Sequence, residues 1–179
     1  MRKNNTHGGG DRTNFNGLNF EKRTNFITSI NNNPNFKVEI EGKTTKIFFK
    51  NKYFGNYIEQ HEFYKFLESK SVDWKNTVSK KYIPDGVFIN KVNKKIYIIE
   101  KKFQEVSGSV DEKLQTCDFK KKIYQKLVNE LKESYIVEYI FLLNNFFEKR
   151  QYKDVKNYIK SVGCHYYIDR MEPKEIGIF

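Results

Sequence analysis

The sequence predicts an α/β fold, in which helices flank a mixed central sheet. Short runs rich in β-branched and aromatic residues alternate along the chain with longer segments whose apolar residues recur at helical spacing. The run YIVEYIFLLNN is mostly apolar, which is typical of a strand buried on both faces. The chain has 179 residues and 16% aromatic residues, enough for one domain with a sizeable core.

The first part of the chain predicts the order helix, strand, strand, helix. A first helix is favoured because Leu18, Phe26 and Ile30 can share one face, and an Asn-rich run followed by Pro34 ends it. Two runs with strand character follow, and then an amphipathic segment. In chain order these four elements cover residues 17–32, 36–42, 43–51 and 56–71.

The second part predicts a β-hairpin followed by helix, strand, helix and strand. The hairpin joins DGVFIN and KIYIIEKK, two apolar runs separated by the polar turn KVNK. The last helix ends at Gly163. After the hairpin strands 85–90 and 95–102, the predicted elements cover residues 110–133, 135–145, 147–163 and 164–170.

Charge and cysteine usage narrow the functional classes. The 33 basic and 22 acidic residues leave a net charge of +11, which suggests a polyanionic partner such as nucleic acid, although an A/T-rich genome also enriches lysine. Two cysteines exclude a disulfide framework or a zinc cluster. The N-terminal residues lack the apolar region of a signal peptide, and no apolar run is long enough for a membrane span. We therefore expect an intracellular, cytoplasmic protein with reduced cysteines and no membrane partner.

Charged residues cluster where the two hairpin strands end. Antiparallel pairing places Asp85, at the start of the first strand, beside Glu100 near the end of the second. Lys102 shares the sheet face of Glu100 because side chains alternate, whereas Lys101 points to the other face and leaves its carbonyl near the site. Two carboxylates are the usual protein ligands of Mg²⁺, and a nearby ammonium can stabilise charge developing on phosphorus. Taken alone, Asp85 is also typical of a turn residue. Glu100 and Lys102, taken without Asp85, are also typical of an exposed cross-strand pair.

Pro84-Asp85, the hairpin and Glu100-Lys101-Lys102 together resemble the PD-(D/E)XK nuclease superfamily, most of all its type II restriction endonucleases. The resemblance covers roughly residues 17–145 and implies a restriction-endonuclease-like αβββαβ core. It implies that Asp85, Glu100 and the Lys101 carbonyl bind metal and that Lys102 assists the attacking water. The acid that similar nucleases often carry on the first helix would be Glu21, and Gln115 fits a polar position on the helix after the hairpin.

Basic and amide side chains supply candidate DNA contacts. Arg and Asn are suited to bidentate base contacts, whereas lysines mostly contact phosphates. We expect residues 1–16 to form a flexible N-terminal arm and residues 17–179 to form a single nuclease domain. The candidate DNA-binding residues are Arg12, Asn14, Lys101, Lys113, Lys120 and Lys121.

These expectations combine into one predicted function. The protein would be a Mg²⁺-dependent type II restriction endonuclease that hydrolyses double-stranded DNA at a specific short sequence, as a homodimer and without a small-molecule cofactor. Mn²⁺ would replace Mg²⁺. The alternatives are a junction resolvase or repair nuclease on the same core, an RNA-processing nuclease, and a DNA-binding module without catalysis.

Overall fold

The structure, a computed structural model, describes residues 16–20, 24, 26–31, 33–106 and 110–179. Helices flank one seven-stranded mixed sheet, which confirms the predicted α/β class. The strands are β1 Phe36–Glu41, β2 Thr44–Phe49, β3 Lys52–Glu59, β4 Gly86–Asn90, β5 Lys95–Lys102, β6 Ile136–Leu143 and β7 His165–Ile168. The helices are α1 Phe26–Asn31, α2 Glu62–Ser69, α3 Trp74–Thr77, α4 Val110–Leu114, α5 Cys117–Val128 and α6 Lys153–Ser161.

The sheet order follows the chain order from β1 to β7. Neighbours from β1 to β5 are antiparallel, whereas β5, β6 and β7 run parallel to one another. Parallel neighbours require crossover connections, which contain α5 between β5 and β6 and α6 between β6 and β7. The carboxyl ends of β5, β6 and β7 therefore lie at one edge of the sheet, together with the start of β4.

The sheet separates two hydrophobic cores. On one face, Tyr139 and Phe141 of β6 belong to a core that includes residues of α2 and α5, and we call this the α5 face. On the other face, Ile140 and Leu142 of β6 belong to a core with residues of α1 and the C-terminal segment. Strand β6 is therefore buried on both faces, as its apolar run predicts.

The prediction was wrong about residues 52–59, which form β3. The predicted helix over 56–71 begins only at Glu62, and residues 56–59 complete the strand. Gly55 and Asn56 interrupt the apolar alternation of this strand, and the pairing of β2 with β3 shifts register between Ile47 and Phe48. A bulge of this kind hides the period of two on which strand prediction depends.

Two other helices are shorter than predicted. The helix expected over 110–133 is divided by a turn at residues 115–116, where the Thr116 hydroxyl donates to the Lys113 carbonyl at 2.7 Å. Such local bonds compete with helix continuation. The helix expected over 147–163 begins at Lys153, after two short 3₁₀ turns. The first predicted helix lies partly outside the described residues, of which 16–20 and Phe26–Asn31 are helical.

Cys117 and Cys164 are free thiols, and both are buried. Of the helices that the structure describes, none has the length and apolar character needed to cross a membrane.

Gly55 provides a test of the sheet register. Its φ is +156°, and a Cβ at this position would collide with the backbone carbonyl of Ile89 on β4. We expect Gly55→Ala to lower the free energy of unfolding by about 3 kcal/mol or more, measured by urea denaturation. Gly42→Ala is the matched control, because Gly42 also has positive φ but has open space at its Cβ position. It should cost only about 1 kcal/mol, and equal losses would contradict the close approach of β3 and β4.

Candidate active site

Asp85 is fastened to the neighbouring strand at the sheet edge. Gly86 is paired with Ile99, so the residue before Gly86 meets the end of β5. The Lys101 backbone N–H donates to Asp85 Oδ2 at 2.7 Å. The Asp85 side chain keeps 41% exposure, so this acid is both positioned by β5 and open to solvent.

Glu100 lies beneath this edge, on the α5 face, and is only 3% exposed. Its Oε2 accepts from Lys102 Nζ at 2.7 Å, and its Oε1 accepts from Lys120 Nζ at 2.7 Å. Burial raises the pKa of Glu100, but the two ammonium groups lower it more, so its pKa lies below the ordinary value. Glu100 is therefore a buried carboxylate held in its charged form, and an exposed cross-strand pair does not describe it.

The Lys102 ammonium lies among three oxygens. Besides Glu100 Oε2, it contacts the Lys101 carbonyl at 3.1 Å and approaches Asp85 Oδ2 at 4.0 Å. These are the same groups that the sequence predicts as metal ligands, and an ammonium is the cation that holds them together here. All three groups offer hard oxygen atoms, and two of them are negatively charged carboxylates. Such oxygen ligands suit Mg²⁺.

The acidic part of the site is small. Within the described ranges, no group of three or more His, Cys, Asp and Glu side chains could hold a metal ion.

Lys101 faces away from Glu100 and Lys102. Its side chain lines a small apolar cleft on the opposite face of the sheet, together with Phe26 and Tyr57. Its backbone takes part in the site, through the N–H bound to Asp85 and the carbonyl bound to Lys102. The alternation of side chains along KIYIIEKK is thus as predicted.

The ion pair of Lys120 with Glu100 was not predicted from the sequence. It was predicted as a DNA contact, whereas its ammonium forms an ion pair with the buried Glu100. Tyr124, one helical turn later, is fully buried on the same side of α5. The i, i+4 spacing of Lys120 and Tyr124 is the signal in the sequence that indicates that this lysine faces the sheet.

Two tyrosines form an apolar surround for the carboxylate. Tyr124 and Tyr139 stack with ring centroids 6.2 Å apart. Burial and the Glu100 charge raise the pKa of both, so both phenols stay neutral. The Tyr139 hydroxyl is buried, and its interaction with the Glu100 carboxylate contributes to its raised pKa. A weakly polar surround strengthens the attraction between Glu100 and its two lysines.

The remaining candidate residues lie elsewhere. Gln115 is exposed in the turn between α4 and α5, and Lys113 is exposed on α4. The Lys121 ammonium donates to the Gly163 carbonyl at 2.6 Å and does not take part in the Glu100 ion pairs. The candidate residues outside the described ranges are Arg12, Asn14 and Glu21.

Lys120→Met tests its electrostatic role. We expect the variant to raise the pKa of Glu100, because one of the two ammonium groups that lower it is lost. The acid limb of any activity–pH profile should then move to higher pH, since more base is needed to keep Glu100 charged. Lys122→Met is the matched control, because Lys122 pairs with the more exposed Asp118 on the same helix. An unchanged acid limb in Lys120→Met would show that Lys120 does not control Glu100.

The geometry of this edge can be set beside known proteins. Comparisons found no protein-family model, no curated protein and no solved structure that matches the chain. The chemistry of the site therefore follows from its own residues, namely Asp85, Glu100, Lys102 and Lys120.

Proposed function

We propose that the protein is a Mg²⁺-dependent type II restriction endonuclease, which hydrolyses phosphodiester bonds in double-stranded DNA at a specific short sequence. The observation that carries the proposal is the position of the Lys102 ammonium among Asp85, Glu100 and the Lys101 carbonyl. Two carboxylates and a lysine at one sheet edge are a minimal set for metal-assisted hydrolysis of a phosphodiester.

The strand order supports the restriction-endonuclease-like core. Strands β3, β4 and β5 are antiparallel neighbours, α5 crosses over, and β6 joins parallel to β5. Helices α2 and α3 lie between β3 and β4 in the chain, and β1 and β2 lie between α1 and β3. With these four elements set aside, the order matches the αβββαβ order of the proposed family, and β1 and β2 extend the sheet on one side and β7 on the other.

Each residue of the candidate site would have a separate role in the hydrolysis. Asp85, Glu100 and the Lys101 carbonyl would hold Mg²⁺, which when bound polarises a phosphoryl oxygen and lowers the pKa of its water. Lys102 would stabilise the attacking water or the charge that develops on phosphorus. Lys120 keeps Glu100 charged, because its ammonium lowers the pKa of that carboxyl.

An exposed basic and aromatic segment leads directly into Asp85. The Lys81 ammonium lies 4.6 Å from the centroid of the Trp74 ring, and the Lys80 ammonium lies 5.2 Å from that of Tyr82. Phe119 of α5 packs edge-on against Tyr82 and is 52% exposed. We call residues 74–82 the approach segment, and its lysines are held in place for phosphate contacts.

Salt dependence tests whether this charge is used for DNA. Affinity should fall steeply with salt, with a log–log slope of about −0.9 for each phosphate that is neutralised. We expect Lys81→Gln to weaken binding and to reduce the slope by about 0.9, measured by fluorescence anisotropy in Ca²⁺. Lys52→Gln removes the same charge at the end of β3 that lies away from Asp85. It should change neither the affinity nor the salt slope. A slope near zero would contradict a phosphate-binding role for the basic surplus.

Digestion of phage DNA tests the proposed activity itself. Purified protein with Mg²⁺ or Mn²⁺ should produce discrete fragments whose mapped ends share one short sequence. A smear would indicate a nonspecific nuclease, and preferential cutting of branched DNA would indicate a resolvase or repair enzyme. DNA binding without any Mg²⁺-dependent nicking would overturn the proposal in favour of a binding module, and cleavage of RNA alone would favour RNA processing.

A homodimer follows from the chemistry of palindromic sites. Each domain carries one candidate site, whereas cutting both strands symmetrically needs two sites related by a two-fold axis. Light scattering of the protein with a duplex containing its mapped sequence should give two protein chains per duplex. One chain per duplex with full double-strand cleavage would contradict this stoichiometry.

A further inference from the structure

An exposed aromatic ring lies on helix α5 beside the candidate active site. Phe119 is more than half exposed. The next residue is Lys120, whose ammonium donates to Glu100 Oε1 at 2.7 Å. Consecutive residues of a helix lie in the same turn on adjoining sides, so the ring and the lysine leave α5 at one level. The Phe119 ring therefore lies at the margin of the place where a substrate would bind.

Tyr82 of the approach segment supports this ring. The two rings meet edge to face, with centroids 5.7 Å apart and an interplanar angle of 72°. The Tyr82 N–H donates to the Tyr64 hydroxyl at 2.8 Å, and its carbonyl accepts from the Tyr124 hydroxyl at 3.0 Å. Tyr64 and Tyr124 are themselves fully buried. Phe119 thus projects from a helix and rests against a residue whose backbone is fixed to the core.

The surface around the ring suits a polyanion. The approach segment carries no acidic residue and three lysines, namely Lys75, Lys80 and Lys81. Their ammonium groups lie 5.9, 5.2 and 4.6 Å, in that order, from the centroid of an aromatic ring. The acids that adjoin this surface are already bonded, Asp118 to Lys122 Nζ and Glu68 to Trp74 Nε1, each at 2.7 Å. An exposed apolar ring with lysines beside it has the composition of a nucleic-acid contact.

An apolar side chain can enter a duplex without a cavity. Side chains such as Phe and Leu insert between two base pairs, unstack that step and kink the DNA. We propose that Phe119 enters the substrate duplex as such a wedge, while lysines of the approach segment bind the neighbouring phosphates. The proposal rests on the proposed function for its DNA substrate. It makes Phe119 a specificity-determining residue and not a catalytic one.

The wedge confers a preference for DNA that kinks easily. Pyrimidine–purine steps are the most flexible steps of a duplex and are easily unstacked. Part of the sequence specificity of the proposed endonuclease then comes from DNA deformability, without contact to a base edge. The mapped recognition sequence should contain a pyrimidine–purine step, and a mapped sequence without one would contradict the wedge.

A mismatched duplex tests the wedge without any cleavage. One central mismatch weakens stacking in advance, so the ring has less unstacking to perform when it enters. In Ca²⁺, the wild-type protein should bind this duplex about tenfold more tightly than the fully paired duplex of equal length, measured by fluorescence anisotropy. Equal affinities for the two duplexes would overturn the proposal.

Substitutions of Phe119 separate a wedge from an ordinary surface ring. Phe119→Ala should remove the preference for the mismatched duplex, whereas Phe119→Leu should retain most of it, because leucine also serves as a wedge. Tyr158→Ala is the matched control, since Tyr158 is an exposed aromatic residue of α6, and it should leave the preference unchanged. A preference that survives Phe119→Ala, or that disappears equally in Tyr158→Ala, would contradict the role of Phe119.

Bending of the DNA provides a second readout. With a donor and an acceptor dye at the two ends of the duplex, saturating wild-type protein should raise energy transfer, because a wedge kinks DNA by about 20–90°. Saturating Phe119→Ala should not raise it. Unchanged transfer with wild-type protein would overturn the wedge. A dimer that dissociates in DNA-free Phe119→Ala, seen by sedimentation, would assign the ring to a protein interface and would also overturn it.

Failure of the wedge and failure of the proposed function give different results. A protein that prefers the mismatched duplex and bends DNA but never cuts it would retain the wedge and lose the proposed function. A protein that cuts paired DNA at one sequence, with neither the preference nor the bending, would do the reverse.

Discussion

Glu100→Gln should lower the single-turnover cleavage rate by about 10³-fold, whereas DNA binding in Ca²⁺ persists. The side chain is nearly isosteric, so the change removes charge and not shape. Glu100 is buried and bound by Lys102 and Lys120, each at 2.7 Å. A neutral amide no longer offers Mg²⁺ an anionic oxygen, and it leaves two ammonium groups without their counterion.

The same substitution at Glu138 provides the matched control. Glu138 lies on β6 with 15% side-chain exposure, and its oxygens lie 2.6 Å from Lys95 Nζ and 3.6 Å from Lys121 Nζ. The contact with His165 and the two lysines lower its pKa to about 2, so it too is a charged carboxylate. Glu138→Gln should therefore destabilise the protein to a similar degree and leave cleavage intact. Equal loss of cleavage in both variants would show that general electrostatic damage, and not catalysis, explains the effect.

Lys102→Ala should lower the rate of the chemical step by about 10²-fold, the cost of removing one preorganised electrostatic group. Its ammonium already lies within 4.0 Å of both candidate metal-binding carboxylates. Lys101→Ala should change the rate little, because that side chain lies on the opposite face of the sheet. Lys102→Arg should not restore the rate, since a guanidinium is larger and planar.

Single-turnover rates at saturating enzyme measure this pair directly. The Lys101 and Lys102 variants carry the same change of charge on adjacent residues, so nonspecific electrostatic effects cancel between them. Full cleavage by Lys102→Ala together with an inactive Lys101→Ala would mean that the wrong face of β5 carries the chemistry. The position of the Lys102 ammonium would then be structural, and the site would have to be sought around the cleft beside Tyr57.

The features that sequence reasoning predicted best are those that depend on local periodicity. Alternation along β5 places Glu100 and Lys102 on one face, and the hairpin brings Asp85 to the Lys101 backbone within a separation of 16 residues. Both relations need only strand geometry and one turn. They are short-range consequences of the chain and do not depend on how the helices pack.

The features that were missed depend on tertiary packing. The ion pair of Lys120 with Glu100 exists because α5 packs against β6, next to β5. The spacing of Lys120 and Tyr124 indicates the buried face of the helix, but it does not indicate which strand residue that face meets. Strand β3 was missed because the bulge opposite Gly55 disrupts its alternation. The two hydrogen bonds between the Asn144 side chain and the Gln104 backbone join the ends of two strands, 40 residues apart in the chain.

In the free protein, the Lys102 ammonium serves as an internal counterion for Asp85 and Glu100. Because the Lys102 ammonium lies between Asp85 and Glu100 and Lys120 also pairs with Glu100, the fold does not need a divalent ion to keep the two acids close. Lys102 must leave these oxygens before a metal can use them, and a phosphate arriving at the edge offers it a new partner. In the proposed enzyme, metal uptake and DNA uptake would then be thermodynamically linked, each raising the affinity for the other. Electrostatic competition within this side-chain cluster would keep the metal-free protein inactive.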